Sequence, residues 1–112
     1  MANRFIEVWS NSVTNAEIAA SGRYIFGTET SDTQNRKEYG SMNFFIFRNG
    51  SAVDVKVIMD GQDYVVVGNG SSLVISAEDG FFFDLIEIEN QSGAAVVAAG
   101  TLNLRYGRAR PL

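Results

Sequence analysis

The sequence predicts an all-β chain, a single antiparallel β-sandwich of about eight or nine strands, jelly-roll-like in style. Three observations carry that expectation. From residue 42 onward, β-branched and aromatic residues recur with period two. Glycine-containing turns punctuate these runs every 8–12 residues or so. No stretch shows the apolar spacing of an amphipathic helix.

The elements follow in order. Phe5 to Trp9 reads as a strand. Asn15 to Ala20 fits a strand better than a helical turn, and Arg23 to Phe26 is a short strand after Gly22. Residues 28–41, TETSDTQNRKEYGS, contain one aromatic and no aliphatic side chain. They are expected to form a polar loop, with Arg36, Lys37 and Tyr39 as partner contacts. Met42 to Arg48 is an aromatic strand, closed by Asn49-Gly50-Ser51. Ala52 to Met59 alternates, with Val53, Val55, Val57 and Met59 on one face. Asp60-Gly61 is a type I′ hairpin signal, because both central positions of that turn need positive φ. Gln62 to Val67 returns, Gly68-Asn69-Gly70 turns, and Leu73 to Ser76 follows. Phe81 to Glu89 and Ala94 to Tyr106 complete the set. Ile46 to Val53 and Ile88 to Val96 echo one another as strand, Asn-and-Ser turn and returning strand. Periodicity does not reveal strand order, so a jelly roll and an immunoglobulin-like sandwich both remain open.

A chain of 112 residues is one domain, 1–112, able to bury a core without staples. With 46% hydrophobic and 20% charged residues it is globular rather than disordered. It has no Cys and no His. Thiol nucleophiles, disulfides, His-based triads and His-ligated zinc are therefore excluded. Glu87 and Glu89 share one strand face at a spacing that a glycosidase pair could use. A solvated strand face carries such pairs routinely, and a glycosidase also needs a deep cleft, which so small a domain rarely offers. Asp60-Gly61-Gln62-Asp63 lacks the spaced ligands of a calcium loop. Gly68-Asn69-Gly70 lacks the third glycine and following helix of a dinucleotide loop. The chain is read as a non-enzyme, with no metal and no cofactor.

The net charge of −4 speaks against nucleic acid, which needs a basic stripe. Arg105, Arg108 and Arg110 fall in the last eight residues, leaving six basic against 13 acidic groups, or −7. Residues 107–112 thus read as a basic tail that could pair with an acidic partner. Removing that tail is expected to weaken assembly and spare the fold. The first residues lack the apolar core of a secretion leader, and no segment is long enough to cross a membrane. A soluble protein is the expectation. Three Asn-x-Ser sequons, at Asn49, Asn69 and Asn90, lie at predicted turns, where these residues are favoured anyway.

Phe81-Phe82-Phe83 puts bulk on both faces of its strand. One face fills the core and the other needs cover from a loop, a partner or a second copy. Trp9, Tyr24, Tyr39, Tyr64 and Tyr106 are alternative candidates for a sugar-stacking platform.

In style the chain resembles small β-sandwich structural proteins of tailed-bacteriophage virions. The carrying residues are Phe45-Ile46-Phe47-Arg48-Asn49-Gly50, Val65-Val66-Val67-Gly68, Phe82-Phe83-Asp84-Leu85-Ile86-Glu87-Ile88 and Leu102-Asn103-Leu104-Arg105-Tyr106-Gly107. The similarity covers residues 42–107, without a diagnostic motif. The resemblance implies a capsid decoration or cement protein located in the virion. Its partner would be a protein lattice, a major capsid protein, and its state a homo-oligomer, a trimer among the options. The partner-binding candidates are Phe81, Phe82, Phe83, Arg36, Lys37, Tyr39, Arg105, Arg108 and Arg110. The alternative from a different class is a carbohydrate-binding β-sandwich module.

Overall fold

The computed structural model describes residues 4–112. Among the described residues there are eight strands, one α-helix and a single 3-10 turn at Ala77–Asp79. The strands and the α-helix are β1 (Phe5–Thr14), β2 (Arg23–Phe26), α1 (Thr30–Tyr39), β3 (Phe44–Asn49), β4 (Val55–Met59), β5 (Gln62–Val67), β6 (Ser72–Ile75), β7 (Ile86–Asn90) and β8 (Leu102–Pro111).

The strands form two four-stranded sheets, ordered β1-β8-β3-β6 and β2-β7-β4-β5. Every pairing is antiparallel. The first strand pairs with the last, the second with the seventh, the third with the sixth and the fourth with the fifth. A single long hairpin rolled across two sheets has this order. It is the jelly roll, and it settles what periodicity left open.

The period-two pattern drives the packing. Phe45 and Phe47 from β3, Leu102, Leu104 and Tyr106 from β8, Val55 and Val57 from β4, and Ile86 and Ile88 from β7 are all buried between the sheets. Burying a side chain of this size contributes about 1.5–3 kcal/mol, so these alternating positions outweigh any local preference. Asp60 and Gly61 take the positive φ values, 50° and 80°, that their hairpin requires.

Four expectations change. Residues 28–41 are not a structureless loop, because Thr30–Tyr39 is α1. Asp32 in its first turn and Arg36 and Lys37 in its last suit the helix dipole, and Gly40 ends it. The helix has no apolar stripe, which is why periodicity missed it. It is fastened by polar groups instead. Asp32 is fully buried and accepts hydrogen bonds from the Tyr106 hydroxyl at 2.8 Å and from the Asn11 amide at 3.1 Å. Arg36 donates to the Gly27 carbonyl.

Residues 107–112 are not a free tail either. Gly107 to Pro111 lie in β8, between β1 and β3 at its Gly107 end and along β1 to Pro111. A Cβ at Gly107 would fall 2.1 Å from the Trp9 carbonyl oxygen, so only glycine lets β1 come this close. The third change is in 15–20, which form no strand beyond an isolated bridge between Ile18 and Val97. Last, the aromatic strand expected at 81–89 begins only at Ile86, and the long one expected at 94–106 begins at Leu102.

Candidate functional site

The two ends of the sandwich carry different loops. One end holds the β1–β2, β3–β4, β5–β6 and β7–β8 connections. Three buried asparagines staple it. Asn49 accepts from the Ser51 amide at 3.0 Å and donates to the carbonyls of Val53 and Val67. Asn90 accepts from the Ser92 amide at 2.8 Å and donates to Ile18, Ala19 and Ala95. Asn15 accepts from the Leu102 amide and donates to Ala98. The sequence echo between 46–53 and 88–96 is therefore one device used twice, an Asx turn whose amide also ties down neighbouring carbonyls. Asn49 and Asn90 are 0% and 1% exposed, which leaves their sequons no accessible acceptor nitrogen. Asn69 is exposed.

The opposite end presents the aromatics. Here lie the β4–β5 hairpin, segment 76–85, the α1–β3 connection and both ends of the described chain. The run Phe81-Phe82-Phe83 divides. Phe83 is 3% exposed, packs edge-on to Phe45 and is fixed by a two-way backbone bridge to Met42. It is core, not a partner contact. Phe81 and Phe82 are 47% and 59% exposed. Their loop is held from the other side by Asp60, whose carboxylate accepts from the Asp84 and Leu85 amides, both at 2.9 Å. This is the work of the Asp60-Gly61 acid: it pins a loop, and no cluster of metal-ligating residues occurs among the described residues.

Around the two phenylalanines the surface is ordered. Tyr64 packs edge-on to Phe81 with ring centroids 5.9 Å apart. The Arg108 guanidinium lies 4.8 Å over the Phe82 ring and donates to the Ser41 carbonyl. A guanidinium so placed stiffens an exposed ring by a cation–π contact. A depression of about 350 Å³ runs between Tyr64, Phe81 and Phe82, with Gln62, Asp63 and Asp60 along its polar side.

The remaining predicted residues scatter. Arg105 is not on this end but on the outer face of the β1-β8-β3-β6 sheet. It is held there by both Glu7 oxygens and stacked over Phe44. That bond lowers the Glu7 pKa. A larger depression, about 640 Å³, crosses this face beside Arg105, Arg48 and Asn103, but it exposes no aromatic ring. Arg36 is committed to Gly27, while Lys37, Tyr39 and Arg110 are exposed. Trp9 and Tyr106 are core residues, 6% and 1% exposed, so neither can stack on a sugar. Desolvation, with the Asp32 hydrogen bond second, pushes the Tyr106 hydroxyl well above its ordinary pKa.

Glu87 and Glu89 lie on the outer face of the second sheet. Both pair with Arg23, and Glu89 also with Lys56. The Gln91 amide first, and Arg23 second, hold the Glu89 carboxyl below its ordinary pKa. A proton donor needs the opposite shift. Sequence reasoning missed Tyr64 as the neighbour of Phe81, and Asp60 as the anchor of its loop. The hairpin signal placed Asp60 in the turn and Tyr64 on the returning strand, but nothing in the sequence brings segment 81–85 against them.

No protein-family model matches this chain, and no curated protein or solved structure matches it.

Proposed function

We propose that this protein is a non-enzymatic docking protein that seats the aromatic end of its jelly roll on a protein surface. The setting we propose is a virion, with the chain decorating or cementing a capsid lattice. The observation that carries the reading is the presentation of Phe81 and Phe82. Both rings are about half exposed on a loop clamped from two sides, by Asp60 and by the Met42–Phe83 bridge. Large rings held rigidly at the surface lose little entropy on binding, which is how interface anchors work. Arg108, over Phe82, and exposed Arg110 would add charge at the rim.

The test is co-sedimentation with assembled capsids of the virus that encodes the chain. The wild type is expected to pellet with the shells. The Phe81→Ser, Phe82→Ser double variant, folded by circular dichroism, is expected to stay in the supernatant. Equal pelleting of both would remove the aromatic end from the interface. No pelleting of either would remove the capsid as partner.

A second reading rests on the depression itself. Tyr64 and Phe81 flank a polar rim of Gln62 and Asp63, a combination that suits a sugar ring. A glycan array would decide for this carbohydrate-binding alternative if binding were lost on Tyr64→Ala.

A further inference from the structure

A sheet edge exposes unpaired N–H and C=O groups, and a fold must guard each one or use it. This sandwich has four edges, β1, β6, β2 and β5. Edge β1 is interrupted by a bulge at Val8 and flanked by α1, which Asp32 ties to Asn11. Edges β2 and β6 are only four residues long, and β2 begins with an exposed arginine. Edge β5 has none of these protections along Val65 to Val67. It is six residues long, its first five residues are all exposed, and it contains no Lys, Arg, Pro or Gly. Tyr64, Val65 and Val66 are 43%, 38% and 53% exposed in succession. The bulge in the β4–β5 ladder lies at Tyr64, before the valines.

We infer that the free edge of β5 pairs antiparallel with the β5 edge of a second copy, joining two sandwiches about a two-fold axis. The occupant is a second copy because the segment is complementary to itself. With the axis at Val65, Val65 meets its own twin, Tyr64 meets Val66 and Asp63 meets Val67. The one charge on this edge never faces its twin. Asp63 is in any case already bridged to Lys56 at 3.2 Å. An aromatic opposite a β-branched residue is a favourable cross-strand pair. The contact is isologous, so it closes at two copies and does not propagate into a fibre. It borders the aromatic end through Tyr64, which packs against Phe81, while Phe82 and Arg108 take no part in it.

The chain has no cysteine, which allows a direct test. Directly opposite residues of an antiparallel pair bring their Cβ atoms to about 4.5–5.5 Å, close to disulfide reach. Val65→Cys should therefore oxidise to a covalent dimer, whereas Val66→Cys and Phe82→Cys should cross-link far more slowly. Light scattering over a wide concentration range should show the wild type dimerising. Val65→Lys, which sets like charges at the axis, should raise the dissociation constant about tenfold or more. A wild type monomeric at every concentration overturns the inference. So does a dimer in which Phe82→Cys cross-links and Val65→Cys does not, which would move the contact to the aromatic loop. A dimer unaffected by both Val65 variants overturns it as well. The capsid experiment has a different variant and readout, so each idea can fail alone.

Discussion

The two ends of this sandwich hold their loops by different chemistry. At one end, Asn15, Asn49 and Asn90 sink their amides into the protein, and each ties several backbone groups of neighbouring loops. At the other end the ties are Asp60, the Met42–Phe83 bridge and one buried asparagine, Asn43, bonded both ways to Ala109, and large apolar rings are left in water. A buried polar network is costly unless fully satisfied, so the first end is built for stability. Exposed Phe81 and Phe82 add nothing to that stability, so the second end is where selection for something else can act. The difference predicts that substitutions of the buried asparagines at the first end damage the fold, and those of the exposed rings at the second damage only what the protein binds.

The most severe change to the aromatic end should be truncation. Removing residues 107–112 takes away half of a strand that lies against β1 and β3, including Gly107, where the backbones are closest. No cooperative unfolding transition should remain in urea. A truncated chain that still unfolds cooperatively would show that β8 needs only its first half.

Next come the asparagines. Asn90→Ala strands three carbonyls and the Ser92 amide, and leaving buried polar groups unpaired costs about 1–3 kcal/mol each. Relaxation and water entry reduce the total, so a loss of roughly 3 kcal/mol is expected, and Asn49→Ala should be similar. Phe81→Ser and Phe82→Ser should shift stability by no more than about 0.5 kcal/mol, as exposed sites do. Urea melts of the four variants measure the contrast directly. Equal losses at both ends would abolish the division.

These contrasts also explain what could be read from the sequence. The sheets were legible because burial on one face writes itself as alternation, as in Leu102, Leu104 and Tyr106. The Asp60-Gly61 turn was legible because its φ values restrict the residue type. Helix α1 was not, because it is attached by polar groups, Arg36 and above all Asp32, whose partners are 21 and 74 residues away. The arginines 105, 108 and 110 looked like a tail because charge is read locally, while a strand is defined by distant neighbours. Phe81 and Phe82 were legible as bulk that the core does not take up, and both are about half exposed. Phe83 could not be separated from them, since only the Met42 bridge turns it inward.

Tyr106 joins the core to α1 and should give the third effect. Tyr106→Phe removes one of the two donors to buried Asp32, at a cost of about 1–2 kcal/mol near neutral pH. It should also change the alkaline limb. A hydroxyl whose pKa is raised in the folded state stabilises the fold fully below its unfolded value of 10.0 and loses that contribution as pH rises above it. Wild-type stability should therefore fall above pH 10 more steeply than that of Tyr106→Phe, and the two curves should converge. Parallel curves would mean that the hydroxyl is not buried.

The smallest effect belongs to the outer face of the second sheet. The Glu89 carboxyl is held below its ordinary value of 4.5 by Gln91 and Arg23, so its contribution is present above that pH and disappears as pH falls below it. Glu89→Gln should shift the midpoint only slightly at neutral pH, because exposed ion pairs are screened and cost entropy to hold. The variant and the wild type should become indistinguishable in acid. If Glu89→Gln proved as damaging as Asn90→Ala, its neighbour on the same strand, this sheet face could no longer be treated as solvated surface. The stapling would then extend from one end of the sandwich along its side.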